Sequence, residues 1–85
     1  MEQRDEPIIK SLLKHNEAFR REHETHQRYE KILEEFNRRP HLTTDEELER
    51  RKVQKLKLAG KDRMARMIFE YRQAQLAAGG ATADA

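Results

Sequence analysis

Apolar residues recur along the first half of the chain at alternating steps of three and four positions, which is the spacing of one face of an amphipathic helix. Pro7 follows two acidic residues, an order typical of a helix start, because proline has no N–H to lose in the first turn. Pro40 ends the pattern, since it disfavours helical geometry at Arg39. We predict one helix over residues 7–38, after a flexible segment 1–6. The series includes three polar members, and its positions are Ile8, Leu12, His15, Phe19, Glu22, His26, Tyr29, Leu33 and Phe36.

The second half of the chain opens with a helix-capping sequence, Thr43-Thr44-Asp45-Glu46-Glu47. In such a sequence a threonine oxygen accepts a free backbone N–H, while the glutamate three residues on reaches back to the threonine N–H. Thr43 with Glu46 and Thr44 with Glu47 both fit this arrangement. A turn over residues 39–42 and a second helix over residues 43–76 follow from it.

One side of the second helix carries a stripe that no lysine or arginine enters. The closing residues, 77–85, have no apolar anchor, and we expect them to form a disordered tail. Two helices of matched length, with a short link and one apolar stripe each, predict an all-α fold. The expected architecture is a single domain over residues 7–76, built as an antiparallel, coiled-coil-like helical hairpin. The stripe of the second helix consists of Val53, Leu56, Gly60, Met64, Met67, Tyr71 and Ala74.

A two-helix hairpin buries only one side of each helix, so small scaffolds of this kind often gain stability by oligomerising. A second, weaker apolar stripe follows the far side of the second helix through Leu58, Ala65, Phe69 and Leu76. Scattered exposed apolar residues are also normal on protein surfaces. We expect the seam to pair Leu12, Phe19, Tyr29, Leu33 and Phe36 with Val53, Leu56, Met64, Met67 and Tyr71. We expect contacts with another chain at Leu58, Phe69 and Leu76, with Ile9 and Leu13 as weaker additions.

Composition narrows the functional classes. The chain has 85 residues, 40% charged and 35% hydrophobic, with 18 basic and 16 acidic residues. Its length excludes a large enzyme core, and its near-balanced charge argues against disorder driven by self-repulsion. The absence of cysteine removes disulfides, thiol chemistry and cysteine-ligated zinc, and fits a reducing compartment. No apolar run approaches the length of about 20 residues that crosses a bilayer, so we expect a cytoplasmic protein without a membrane partner.

Several short segments resemble one known family. They are Glu17-Ala18-Phe19-Arg20, His26, Tyr29-Glu30, Pro40-His41-Leu42-Thr43 and the run from Lys55 to Met64, Lys-Leu-Lys-Leu-Ala-Gly-Lys-Asp-Arg-Met. Together they are similar to the YdcH-like family of short bacterial proteins, a domain of unknown function. The resemblance, over about Ile8 to Tyr71, implies a bacterial source and a self-associating helical hairpin, with no catalytic activity. Glu22 and Gly60 depart from the family pattern, where leucine and a larger apolar residue are expected.

Two histidines one helical turn apart, His23 and His26, have Glu22 and Glu30 nearby, a geometry that can hold a metal ion. Their three-residue spacing differs from the zincin pattern, and a histidine in the seam beside a solvated one explains them as well. The one serine, Ser11, has no local base to activate it. The sequence therefore indicates no catalytic residue, no metal, no cofactor and no small-molecule substrate.

Polar residues occupy the middle of the predicted seam at His15, Glu22 and His26. Such residues often set the register or the oligomeric state of a coiled coil. A histidine near a glutamate also makes an assembly sensitive to pH, since its ordinary pKa of about 6.5 lies close to physiological pH. The spacing of Glu22 and His26 favours this hypothesis, and a loosely packed, wet middle is the alternative.

Basic residues are concentrated between Arg50 and Arg66, where eight of them accompany a single acid, Asp62. Ion pairing with the acidic first helix explains this stretch, and phosphate binding is the alternative. The preferred functional prediction is a small non-enzymatic protein that acts as a helical interaction or self-association module. The runner-up is a nucleic-acid-associated protein, whose phosphate contacts are then Arg51, Lys52, Lys55, Arg63 and Arg66.

Overall fold

The computed structural model describes the backbone of residues 5–83 and the side chains of residues 5–78. This part of the chain consists of three helices, α1 (Glu6–His15), α2 (Glu17–Arg38) and α3 (Thr44–Ala83), and contains no strand. The all-α prediction is confirmed. The single first helix predicted over residues 7–38 is corrected to two helices, which meet at Asn16.

Asn16 interrupts the helix because its own side chain and a neighbouring arginine satisfy the backbone groups that the break exposes. Its backbone is extended (φ −119°, ψ 108°), and its Oδ1 accepts a hydrogen bond of 3.0 Å from the N–H of Phe19 in the first turn of α2. The Arg20 guanidinium donates to the carbonyls of Leu13 (2.9 Å) and Lys14 (3.1 Å) at the end of α1. Both new helix ends are therefore capped.

The break lets α1 fold across α2 and α3. In a continuous helix Ile8 and Phe19 would lie about 16 Å apart along the axis, yet both join one buried cluster. That cluster draws on all three helices, and Phe19 and Met64 within it are fully inaccessible to solvent. Ile9, Leu13, Met67 and Tyr71 pack against its edge. The members of the cluster are Ile8, Leu12, Phe19, Met64 and Ile68.

Ion pairs between the helices show that α2 and α3 run in opposite directions. An ion pair between Arg39 and Glu46 spans the turn, and another joins Glu22 to Arg63 further along both helices. Leu33 and Val53 are the buried apolar residues nearer the turn. The polar middle of the helix pair thus separates two apolar regions.

The start of α3 is the predicted capping box in its Thr43–Glu46 form. Thr43 Oγ1 accepts from the Glu46 N–H at 3.1 Å, and Glu46 Oε1 accepts from the Thr43 N–H at 3.0 Å. The helix continues to Ala83, past the end predicted at residue 76. Four alanines, the residue with the highest helix propensity, favour the helix over residues 77–83, whereas Gly79 and Gly80 oppose it. Residues 1–4 and 84–85, the rest of the predicted flexible ends, lie outside the described residues.

The predicted stripes differ from the buried faces at four positions. Leu56 is 43% exposed and Ala74 is exposed, whereas Ile68, absent from the predicted stripe, is only 4% exposed. His15 is exposed in the last turn of α1. The position of α1 explains the differences at Ile68 and His15. α1 folds over α3 and covers the Ile68 side of that helix, and the break at Asn16 removes His15 from the seam.

The three helices form an elongated body. Its extents are 63 × 21 × 18 Å and its radius of gyration is 17.3 Å, compared with about 12 Å for a compact domain of this length. The accessible surface is 6787 Å², against about 5,300 Å² for a compact monomer of this mass. The chain therefore presents an unusually large surface for its size.

Candidate functional site

Glu22 and Gly60, the two positions predicted to depart from the YdcH-like pattern, lie close together between α2 and α3. Glu22 accepts two hydrogen bonds from the Arg63 guanidinium, at 2.8 Å from Nε and 3.2 Å from Nη2. A β carbon at Gly60 would stand 3.2 Å from the Glu22 carboxylate. Gly60 therefore provides the space in which the carboxylate sits, and the hydrogen bonding to Glu22 raises the pKa of Arg63.

His26 lies next to this pair on α2, with 16% of its side chain exposed. Its Nδ1 lies 2.8 Å from Glu30 Oε1, so Nδ1–H donates to that carboxylate. The buried Nε2 has no hydrogen-bond partner among the described residues. Burial lowers the pKa of His26 from its ordinary value of 6.5, Glu30 partly opposes this shift, and three basic neighbours add to it. Those neighbours are Lys57, His23 and Lys61.

The predicted pairing of Glu22 with His26 does not form. Glu22 is engaged by Arg63, and the carboxylate beside His26 is Glu30 instead. Glu22 pairs with Arg63 and Glu30 pairs with His26. The ion pair between α2 and α3 therefore does not include the histidine. The pH sensitivity expected at this place stays a prediction; the structure pairs His26 with Glu30 and leaves His15 exposed in α1.

A groove of about 410 Å³ opens beside His26 and is shared by all three helices. Its apolar residues are Ile9, Leu58 and Met64, and its polar rim consists of His23, His26, Glu30, Lys57 and Lys61. Among the described residues, no group of three or more His, Asp or Glu side chains is placed to hold a metal ion. Ser11 is hydrogen-bonded to the Tyr71 hydroxyl at 2.9 Å, across α1 and α3.

The predicted interface residues of α3 are exposed and lie on one line. Leu58, Phe69 and Leu76 are 54%, 60% and 62% exposed. At about 100° per residue, these three and Ala65 fall within about 20° of one line along the helix, over about 27 Å. No other residue between positions 58 and 76 falls within that angle. We call Leu58, Ala65, Phe69 and Leu76 the α3 strip.

The two weaker interface predictions, Ile9 and Leu13, lie on α1. Both are half-buried against the core cluster, so part of their apolar surface serves the fold itself. Ile9 also lines the groove together with Leu58, which places it beside one end of the α3 strip. Sequence reasoning missed this intramolecular role because it took residues 7–38 as one helix.

The basic stretch forms few interhelical ion pairs. Arg63 pairs with Glu22 on α2, but Arg50 pairs with Glu47 on its own helix. Within the described part of the chain, the other four predicted phosphate contacts form no ion pair with an acidic side chain and are exposed. At about 100° per residue they share a sector of about 100° that borders the α3 strip. These four residues are Arg51, Lys52, Lys55 and Arg66.

Comparison with known proteins finds no family model, no curated protein and no solved structure that matches this chain. The resemblance to the YdcH-like family therefore stays a prediction. In the described part of the chain, none of the helices combines the length and apolar character needed to cross a membrane.

Proposed function

We propose that this protein is a non-enzymatic cytosolic module that binds another protein chain, a second copy or a different protein, through the exposed apolar face of α3. The observation that carries the proposal is the α3 strip, in which Leu58, Phe69 and Leu76 are each more than half exposed. Four apolar positions aligned along one side of a helix, with Asp62 and Arg72 flanking their line, differ from the scattered single exposed residues that are normal on monomers. A helix that presents anchors at such spacing is a common form of protein recognition.

The surroundings of the strip support binding more than chemistry. The groove beside it opens between helices and carries apolar residues together with the His26–Glu30 pair. The Ser11 hydroxyl, which is not among the groove residues, is hydrogen-bonded to that of Tyr71. The excess surface of the elongated body also favours a role in which that surface contacts a partner.

The test compares two substitutions of the same kind on α3. Phe69→Glu places a charge on the strip, and Leu48→Glu places one at a residue that is 58% exposed but off the strip. In affinity capture from the source cell and in mass measurements over a dilution series, Phe69→Glu is expected to abolish specific association. Leu48→Glu is expected to preserve it. Equal behaviour of the two variants, with unchanged helix content by circular dichroism, would refute the choice of surface.

A second candidate function is nucleic-acid binding through the basic sector of α3. It is favoured by one observation, that Arg51, Lys52, Lys55 and Arg66 are exposed and free of ion pairs with described acidic side chains. Arg63, the fifth predicted contact, is engaged by Glu22 and is a poorer phosphate ligand.

Salt dependence tests this second function. Binding to mixed-sequence duplex DNA should weaken steeply as salt increases, with a log–log slope of about 0.9 per phosphate contact. The double variant Lys52→Ala, Lys55→Ala should reduce the slope by about 2. The control Lys14→Ala, Lys31→Ala removes the same charge from α1 and α2, and the slope should stay unchanged. Absence of any complex at low salt would exclude the function.

A further inference from the structure

We propose that the α3 strip binds a second copy of this chain, with the two α3 helices antiparallel and related by a twofold axis at the level of Met67. The inference rests on the proposed function and names the partner that the proposed function leaves open. It is carried by the spacing of the strip and by the sizes of its side chains.

The spacing of the strip is the same from either end. Its four positions are separated by 7, 4 and 7 residues. When a twofold axis relates two antiparallel helices at the level of residue 67, positions whose numbers add up to 134 lie opposite each other. Leu58 then meets Leu76 of the second copy, and Ala65 meets Phe69 of the second copy. Each contact occurs twice, which is the definition of an isologous interface.

Side-chain size supports the antiparallel register. In this register each Phe69 faces an alanine, so a large side chain packs against a small one on both sides of the axis. A parallel, in-register pair would set Phe69 against Phe69 and leave Ala65 facing Ala65. That arrangement combines overpacking with a void, and both are unfavourable in a packed interface.

The rest of the fold accommodates this arrangement. Residues 51–83 of each α3 overlap in the proposed register, and all of them lie within the helix as the structure has it. Ile9 on α1 lines the groove with Leu58, so Leu76 of the second copy would cover both. Lys61 would approach Arg72 of the second copy, whose charge is compensated by its ion pair with Asp5.

The elongated shape leaves more surface than a compact monomer has. The accessible surface of 6787 Å² exceeds that of a compact monomer of this mass by about 1,500 Å². A standard interface removes about 800 Å² from each partner, which is about half of this excess.

Cross-linking tests the register, because the chain has no cysteine of its own. The variants Leu58→Cys and Leu76→Cys, mixed and oxidised, should give a disulfide-linked heterodimer. Neither variant alone should cross-link, since its cysteine would lie about 27 Å along the helix axis from the same cysteine of the second copy. Cross-linking of a variant with itself, or no cross-linking in the mixture at a concentration where the wild type is dimeric, would overturn the proposed register.

A size exchange tests the opposite pair. Ala65→Phe should weaken dimerisation at least tenfold, because two phenylalanines then face each other, and Phe69→Ala should weaken it by loss of contact. The double variant restores a large residue opposite a small one and should recover most of the affinity. Failure of the double variant to recover it, with helix content unchanged, would contradict the pairing.

The two proposals fail in different ways. A wild type that is monomeric at all concentrations, but whose specific protein captures are lost in Phe69→Glu, would overturn the dimer and keep the interaction surface. A monomeric wild type that captures the same proteins as Phe69→Glu would overturn both proposals.

Discussion

The carboxylate of Glu22 lies beside Gly60, where a β carbon would stand 3.2 Å from its Oε2. The same carboxylate accepts both hydrogen bonds from Arg63. Two residues that each weaken an ideal helical seam, an acid and a glycine, thus form one local arrangement. Their effects on stability should therefore depend on each other.

A double-mutant cycle measures this dependence. Gly60→Ala should gain up to about 1 kcal/mol from helix propensity, but only where the new methyl group does not displace the Glu22 carboxylate. We expect the gain in the Glu22→Ala background and little or no gain in the wild type. Denaturant unfolding of the four proteins gives the coupling, and an equal gain in both backgrounds would show that the contact has no energetic effect.

The half-buried His26, whose pKa is lowered in the folded state, should make stability dependent on pH. Its pKa is lowered in the folded state, chiefly by burial, so the unfolded chain binds the proton more strongly. The resulting stability is fully present above the ordinary pKa of 6.5 and is lost as pH falls through the lowered value. The free energy of unfolding should decrease as the pH is lowered from about 7 to about 5.

Substitution identifies the group responsible. His26→Gln should flatten the pH dependence over this range, whereas His15→Gln, at an exposed position, should retain it. The neighbours of His26 are Glu30, Lys57, His23 and Lys61, and all of them are present in both variants. Identical pH profiles for His26→Gln and the wild type would assign the dependence to other groups.

The break between α1 and α2 depends on the side chain of Asn16. Asn16→Ala removes the acceptor of the Phe19 N–H and should destabilise the protein by about 1 kcal/mol. The matched control is Asn37→Ala, at an exposed asparagine of α2, with an expected change within about 0.5 kcal/mol. Thermal unfolding monitored by circular dichroism compares the two. A smaller loss for Asn16→Ala than for the control would mean that the cap is unimportant.

The two threonines before α3 should also behave differently. Thr43→Ala removes the Oγ1 that accepts from the Glu46 N–H, keeps the backbone N–H that donates to Glu46 Oε1, and should cost about 1 kcal/mol. Thr44→Ala leaves the Thr43–Glu46 pair in place and should change stability by no more than about 0.5 kcal/mol. Urea unfolding of both variants is the measurement, and the reverse order would indicate the Thr44–Glu47 box in solution.

Sequence reasoning succeeded where the cause is local. The capping box at Thr43 and the exposed line from Leu58 to Leu76 depend on spacing within one helix, and spacing can be read directly from the sequence. It failed where distant segments decide the outcome. The burial of Ile68 depends on α1 covering it. Whether residues 7–38 form one helix or two depends on whether Asn16 lies inside a helix or caps the start of α2.

The candidate site divides in the same way. The presence of a polar group at Glu22 and His26 was predictable from the interrupted seam, but their partners were not. Arg63 reaches Glu22 across 41 residues of sequence, and only the antiparallel packing of α2 and α3 brings the two together. The relation of Glu22 to Gly60 likewise requires the interhelical distance, which no pattern within a single helix contains.

The position of α1 has a consequence for how the chain is made. Ile8 and Leu12 are synthesised more than 50 residues before Met64 and Ile68, the α3 residues that share their cluster. The core cluster therefore cannot close until Ile68 has been synthesised, and until then the apolar side chains of α1 and α2 lack their cover from α3. A growing chain that has not yet reached Ile68 exposes these side chains to chaperones, proteases and premature association.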